Sequence, residues 1–331
     1  MLARSTHLQH PSGATFRTPL LLPSFSSKGF GFTKSGTSEV GQLFRLASEY
    51  LTESVLLSAY DLHYKHVRQP RSILTAITYV DSGGYETTDF QDLSATFRQP
   101  MGQKPWDEAR LKTVYDAWPD HIPAVFVNHD RRATIKQQIK SAQRLFSRYP
   151  KQLHTILLKP QTKRERTLPI AEIIDNATAL GHFDIIGLTE KELGRSNAER
   201  MQNIARIRVA LDRAELKDRP LHIFGSLDPI SVPLYFVAGA EIFDGLTWLR
   251  YGYNAGAALY HQNCAARTYG IHHSDDQVKL LSMQTNLVEL SQLTLALRRF
   301  LNAGDFGTLH MNADVVRNAY DVLRNEVPGV E

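Results

Sequence analysis

Short apolar runs recur along the chain at intervals that leave room for one helix between successive runs. Residues 19–23, 54–59, 73–80, 124–127, 155–158, 184–188, 221–224 and 241–244 are nearly continuous in their hydrophobicity. That continuity predicts strands buried on both faces rather than half-exposed ones. Helical spacing fills the gaps at 41–51, 107–117, 132–148, 168–180, 197–213 and 229–238. In 132–148, for instance, Ile135, Ile139, Ala142, Leu145 and Phe146 fall on one stripe. Alternation of strand and helix marks a parallel α/β fold, and eight strands predict a closed (β/α)8 TIM barrel rather than an open sheet.

After Asp244 the pattern changes. Residues 245–270 are rich in Tyr, Gly and Asn, and two further helical segments follow at 275–302 and 312–325. The expected organisation is an N-terminal arm over 1–17, a catalytic barrel over 18–270 and C-terminal helices over 271–331 packed on it. Tyr251, Tyr253 and Asn254 either line a pocket at the barrel mouth or cap the barrel. The first 38 residues carry Arg4, Arg17, Lys28 and Lys34 without an acid. This stretch reads as an arm leading into the first strand rather than a transit segment.

Composition adds four constraints. A length of 331 residues suits one barrel with additions, since such barrels run to about 250 residues. The single cysteine, Cys264, allows no internal disulfide and no cysteine-based metal site, which fits a cytoplasmic location. No apolar run approaches the ~20 residues a membrane helix needs, so no membrane partner is expected. The net charge of +4 is modest, but its distribution is not: eleven basic residues and one acid lie between Arg131 and Arg166. Such a field attracts a polyanion, although a solvated helix face gives the same pattern.

In a barrel the chemistry sits at the carboxyl ends of the strands. Two carboxylates end buried runs there: Asp81 after Ala76–Val80 and Asp244 after Glu241–Phe243. Asp81 opens the turn Asp81-Ser82-Gly83-Gly84-Tyr85. Paired glycines let backbone amides approach a ligand, and an aromatic beyond them offers a stacking wall for a flat base; the same residues also make an ordinary tight turn.

These motifs, taken in order, resemble a known family. Tyr79-Val80-Asp81-Ser82-Gly83-Gly84-Tyr85-Glu86 resembles the Asp-Ser-Gly-Gly-aromatic-Gln signature of tRNA-guanine transglycosylases. The block from His222-Ile223-Phe224-Gly225-Ser226-Leu227-Asp228-Pro229 to Glu241-Ile242-Phe243-Asp244 resembles that family's second signature. Residues 18–25 and 55–63 look like its opening strand and next strand end, so the resemblance runs from about residue 18 to about 256. It implies a pentosyltransferase that removes guanine from a polynucleotide and inserts a 7-deazaguanine. Asp244 matches the nucleophile and Asp81 the general acid/base. Ser82, Gly83, Gly84 and Tyr85 match positions around the base, as do Asn128, Gly187 and Leu188. Phosphate contact is expected at Arg131, Arg132, Lys159, Lys163 and Arg164.

Four departures qualify that expectation. The family's structural zinc is held by three cysteines and a histidine, whereas this region offers Cys264 with His261, His272 and His273, so no zinc and no other cofactor is expected. Asn128 stands where a base-reading carboxylate is usual, with Asp130 two residues on; Lys159 replaces a glutamine and Glu86 another. The chain is more similar to the family's DNA-acting branch than to its tRNA enzymes, which makes DNA the preferred polymer over tRNA. A homodimer or an accessory protein is compatible with this reading. Two other readings compete: a silent nucleic-acid-binding partner subunit, and an unrelated barrel enzyme acting on a small molecule.

Overall fold

The protein is described by a computed structural model covering residues 1–32, 36–72, 75–88 and 103–330. Lys34 and the first two residues of the expected strand 73–80 lie outside the described residues.

The chain opens with a two-stranded antiparallel ribbon, β1 (His7–Gln9) and β2 (Thr15–Arg17). Eight parallel strands then close into a barrel: β3 (Leu20–Phe25), β4 (Ser54–Ser58), β5 (Ile77–Asp81), β6 (Ala124–Val127), β7 (Leu153–Leu158), β8 (Ile185–Thr189), β9 (Leu221–Phe224) and β10 (Ile242–Gly245). Each pairs with its sequence neighbour, and β10 returns to β3 with Asp244 opposite Leu22. The fold is therefore a TIM barrel. Helices α1 (Glu39–Ala47), α2 (Ala59–His63), α3 (Glu108–Asp116), α4 (Ile135–Phe146), α5 (Ile170–Asp175), α6 (Asn197–Arg213) and α7 (Ser231–Val237) connect the strands. Beyond β10 come α8 (Thr247–Arg250), a ribbon of β11 (Gly252–Asn254) and β12 (Ala257–Leu259), then α9 (His261–Thr268), α10 (Asp275–Ala303) and α11 (Ala313–Glu326).

Local signals explain several boundaries. Thr134 caps α4 in a reciprocal box with Gln137, and Ser274 does the same for α10 with Gln277. Gly304 ends α10 at φ +66°, a left-handed conformation that costs glycine nothing. The helix expected over 168–180 breaks after α5, and a 3-10 segment, Ala177–His182, continues it.

Two cores result. A large one lies between the outer faces of the strands and the helices. A smaller one fills the barrel with inward side chains such as Leu22, Tyr79, Val125, Leu157 and Ile242, and takes in Leu8 and Phe16 from the N-terminal ribbon. That ribbon thus plugs the amino-terminal end of the barrel. Beside it, buried Glu241 accepts from Thr18 Oγ1 at 2.5 Å and Thr6 Oγ1 at 3.1 Å. With that end covered, the carboxyl end is the one where a barrel carries its chemistry. Among the described residues no helix is long and apolar enough to cross a membrane.

Candidate active site

Strand alternation decides which side chains reach the barrel interior. Leu20 and Leu22 face inward on β3, so Ser24 does too; likewise Ile77 and Tyr79 bring Asp81, and Ile242 brings Asp244. All three sit at the carboxyl ends of their strands. Asp81 keeps 9 % of its surface exposed and Asp244 6 %, so neither is sealed behind the core.

Among the described residues, Asp244 is held by three donors. Ser24 Oγ donates to Oδ2 at 2.8 Å, while His222 Nε2 at 3.1 Å and the Gly225 amide at 3.3 Å donate to Oδ1. His222 comes from inside β9 and is fully buried; burial lowers its proton affinity despite the opposing pull of Asp244. Gly225 adopts φ +82°, a turn that glycine makes without strain. The loop behind it is tied down by Tyr253, whose hydroxyl bonds the Leu227 carbonyl.

Asp81 lies in a different field. Burial, then the charges of Asp130 and Asp244, push its carboxyl up to about 7, against smaller opposing effects from the Ser82 amide and Lys159. Asp81 and Asp244 therefore sense each other across one mouth. Asp130 follows β6. Burial works to raise its carboxyl, but Lys159 at 3.2 Å and the Ser82 hydroxyl at 2.7 Å outweigh it and hold it below the usual range. Lys159 in turn bonds Thr189 at 2.9 Å and Glu192 at 3.4 Å. Nearby Glu86 is buried and bonded to Ser26; burial, with Asp61 and Asp81 adding to it, raises its proton affinity.

The glycines of the Asp-Ser-Gly-Gly turn serve close approach to protein groups. A Cβ on Gly83, at φ +74°, would lie 2.8 Å from the Tyr60 amide nitrogen and 2.9 Å from the Trp106 ring. One on Gly84 would lie 2.5 Å from Asp130 Cγ. Tyr85 stands on the rim with the Lys28 ammonium 4.5 Å above its ring and Arg250 3.4 Å from its hydroxyl.

The other expected residues make contacts of their own. Asn128 spends its amide on β7: Oδ1 accepts from the Leu157 amide at 2.5 Å, and Nδ2 donates to the Leu157 and His129 carbonyls at 3.3 and 3.2 Å. Gly187 lies in β8, where a Cβ would meet Phe224 at 2.7 Å, and Leu188 packs into the outer core. Arg131 pairs with Glu108 at 3.3 Å and Arg132 with Glu192 at 3.4 Å. Lys163 and Arg164 are exposed on the loop after β7. Tyr253 and Asn254 belong to β11, with the Tyr253 amide bonded to Asn286 at 2.7 Å and Asn254 to Thr268 at 3.2 Å, while Tyr251 precedes that strand. Ser24 and His222 were not singled out from the sequence. The signal for His222 was a polar residue inside an apolar strand; Ser24 lies one residue past the expected strand end.

The residues after the barrel do not fit a three-cysteine zinc site. Cys264 is buried with its thiol 3.7 Å from the Tyr253 carbonyl, and His272 and His273 are exposed. Among the described residues no group of three or more His, Cys, Asp or Glu is arranged to hold a metal ion. No protein-family model and no curated protein matches this chain.

Proposed function

We propose that the protein is a base-exchange transglycosylase acting on a nucleic acid, DNA in preference to tRNA, with a 7-deazaguanine derivative as the incoming base. The observation that carries this reading is the pairing of unlike carboxylates at one barrel mouth. Asp244 is held by donors on both oxygens, and Asp81 has a proton affinity matched to neutral pH.

Breaking an N-glycosidic bond builds positive charge at the sugar C1′. A carboxylate oxygen of Asp244 forms a bond to C1′ as the C1′–N bond breaks, and that electron pair leaves with the purine. Asp81, protonated, gives its proton to the departing base. The incoming base then loses a proton to the Asp81 carboxylate and attacks C1′, and Asp244 departs with the ester electron pair. The base must leave its stack first, and Tyr85 on the rim is the side chain suited to replace that stacking. With the amide of Asn128 engaged on β7, we assign base recognition to Asp130, which accepts from Ser82 and Lys159 and has further lone pairs to offer donors on the base.

The test is incorporation of labelled guanine or 7-deazaguanine into DNA or tRNA. We expect label in the polymer, lost in Asp244→Ala, and a protein–nucleic acid adduct on a denaturing gel. Incorporation that survives Asp244→Ala rejects Asp244 as nucleophile; none into either polymer rejects the reading.

A further inference from the structure

We propose that His222 is a positioning residue that fixes which oxygen of Asp244 attacks. The inference rests on the base-exchange reading above. A carboxylate only accepts, so the 3.1 Å contact places the histidine proton on Nε2. Among the described residues, Oδ1 then receives two donors, His222 and the Gly225 amide, whereas Oδ2 receives only the Ser24 hydroxyl. Oδ2, carrying the lighter load, is the attacking atom. Once its bond to C1′ has formed, Oδ1 becomes the ester carbonyl and keeps both donors. When the incoming base attacks, those donors stabilise the carboxylate as it leaves. His222 keeps its proton throughout, so the proton traffic stays with Asp81.

The ring is built in for orientation. Phe224 stacks on it with centroids 3.8 Å apart, and Tyr79 meets it edge-on at 5.5 Å. Gly187 makes room for Phe224. The imidazole is fully buried, yet among the described residues Nδ1 has no hydrogen-bond partner. A buried polar atom without a partner weakens a fold, so packing alone does not account for a histidine here.

Three variants separate orientation from packing. His222→Leu removes the donor, His222→Asn keeps a polar group too short to reach Asp244, and His222→Gln restores a donor near the Nε2 position. His222→Leu and His222→Asn are expected to lower kcat for exchange about 10- to 100-fold, the effect of one hydrogen bond to a charged group. KM for the polynucleotide should stay within about twofold. His222→Gln should recover most of the rate, and the melting temperature of His222→Leu should not fall. Should His222→Leu fail to fold, the Asn–Gln pair decides the matter alone. Equal rates for Asn and Gln, or a wild-type rate in Leu, overturn the assignment while leaving base exchange standing. Absence of exchange by the wild-type protein overturns both.

Discussion

At the scale of single residues, the site works by giving two aspartates opposite surroundings. Asp81 is raised to about 7, first by burial and then by Asp130 and Asp244. A carboxyl raised in the folded state binds its proton more tightly there than in the unfolded chain. Its stabilising contribution is complete below the unfolded value of 3.8 and is lost as pH rises through about 7. Asp81→Asn should therefore stabilise the protein, and the gain should grow by roughly 3 kcal/mol between about pH 5 and pH 8. Denaturant titrations at the two pH values check this; a gain independent of pH means that Asp81 is not raised. On the proposed mechanism the same proton also governs the kinetics, because departure of the first base would need Asp81 protonated. If that proposal holds, adduct formation by the wild-type protein should fall as pH rises above about 7. The residues that build this contrast were unevenly legible. Asp81 and Asp244 stood out because a charge ending an apolar run has few structural reasons to be there. Asp130 was visible only as a neighbour of Asn128, since the direction of a loop side chain follows from tertiary packing. His222 and Ser24 carried no sequence signal beyond being polar within or beside a core strand.

At the scale of elements, the strands were legible because burial on both faces leaves an unbroken apolar run, and 124–127 and 221–224 match the observed β6 and β9 at both ends. The plug ribbon β1–β2 and the short helices α2, α8 and α9 were not foreseen. Each has few residues, and their order comes from contacts distant in sequence rather than from periodicity. Gly187 shows the same limit. It was expected at the base through the family resemblance, yet its lack of a side chain admits Phe224 against β8 inside the barrel. Gly187→Ala should therefore act through packing. Its Cβ, 2.7 Å from Phe224 and 3.0 Å from Thr155 Cγ2, forces the Phe224 ring off His222. The expected cost is about 1–3 kcal/mol of stability, with a lower exchange rate through the displaced His222. Thermal melts and rates measured side by side check the pairing. A variant as stable as wild type refutes the packing account.

At the scale of the whole molecule, the topology divides the basic stretch 131–166 between the two ends of the barrel. Helix α4 begins after the carboxyl end of β6 and runs back to the amino end of β7. Arg131 and Arg132 before it, and Lys163 and Arg164 after β7, therefore lie around the mouth, whereas Arg144, Arg148 and Lys151 lie toward the opposite end. Run length in the sequence could not reveal this division; closure of the barrel imposes it. A polynucleotide that delivers a sugar carbon to Asp244 must cross the mouth, so only the first group can neutralise its phosphates. Partners lower the expected share of each: Arg131 and Arg132 already pair with Glu108 and Glu192 at the rim, while Lys163 and Arg164 are exposed. Replacing Lys163 and Arg164 with Gln should weaken binding to any polynucleotide sequence alike. Each lost phosphate contact should flatten the slope of log affinity against log salt by about 0.9 on duplex DNA, or about 0.7 on single strands. Replacing Arg144 and Lys151 removes the same net charge from the far end and should leave the slope as it was, since beyond about 10 Å exposed charges are screened at ordinary salt. Salt titrations of the two double variants check the prediction. Equal losses from both ends would mean that the chain responds to its net charge alone, and the mouth would lose its claim to the nucleic acid.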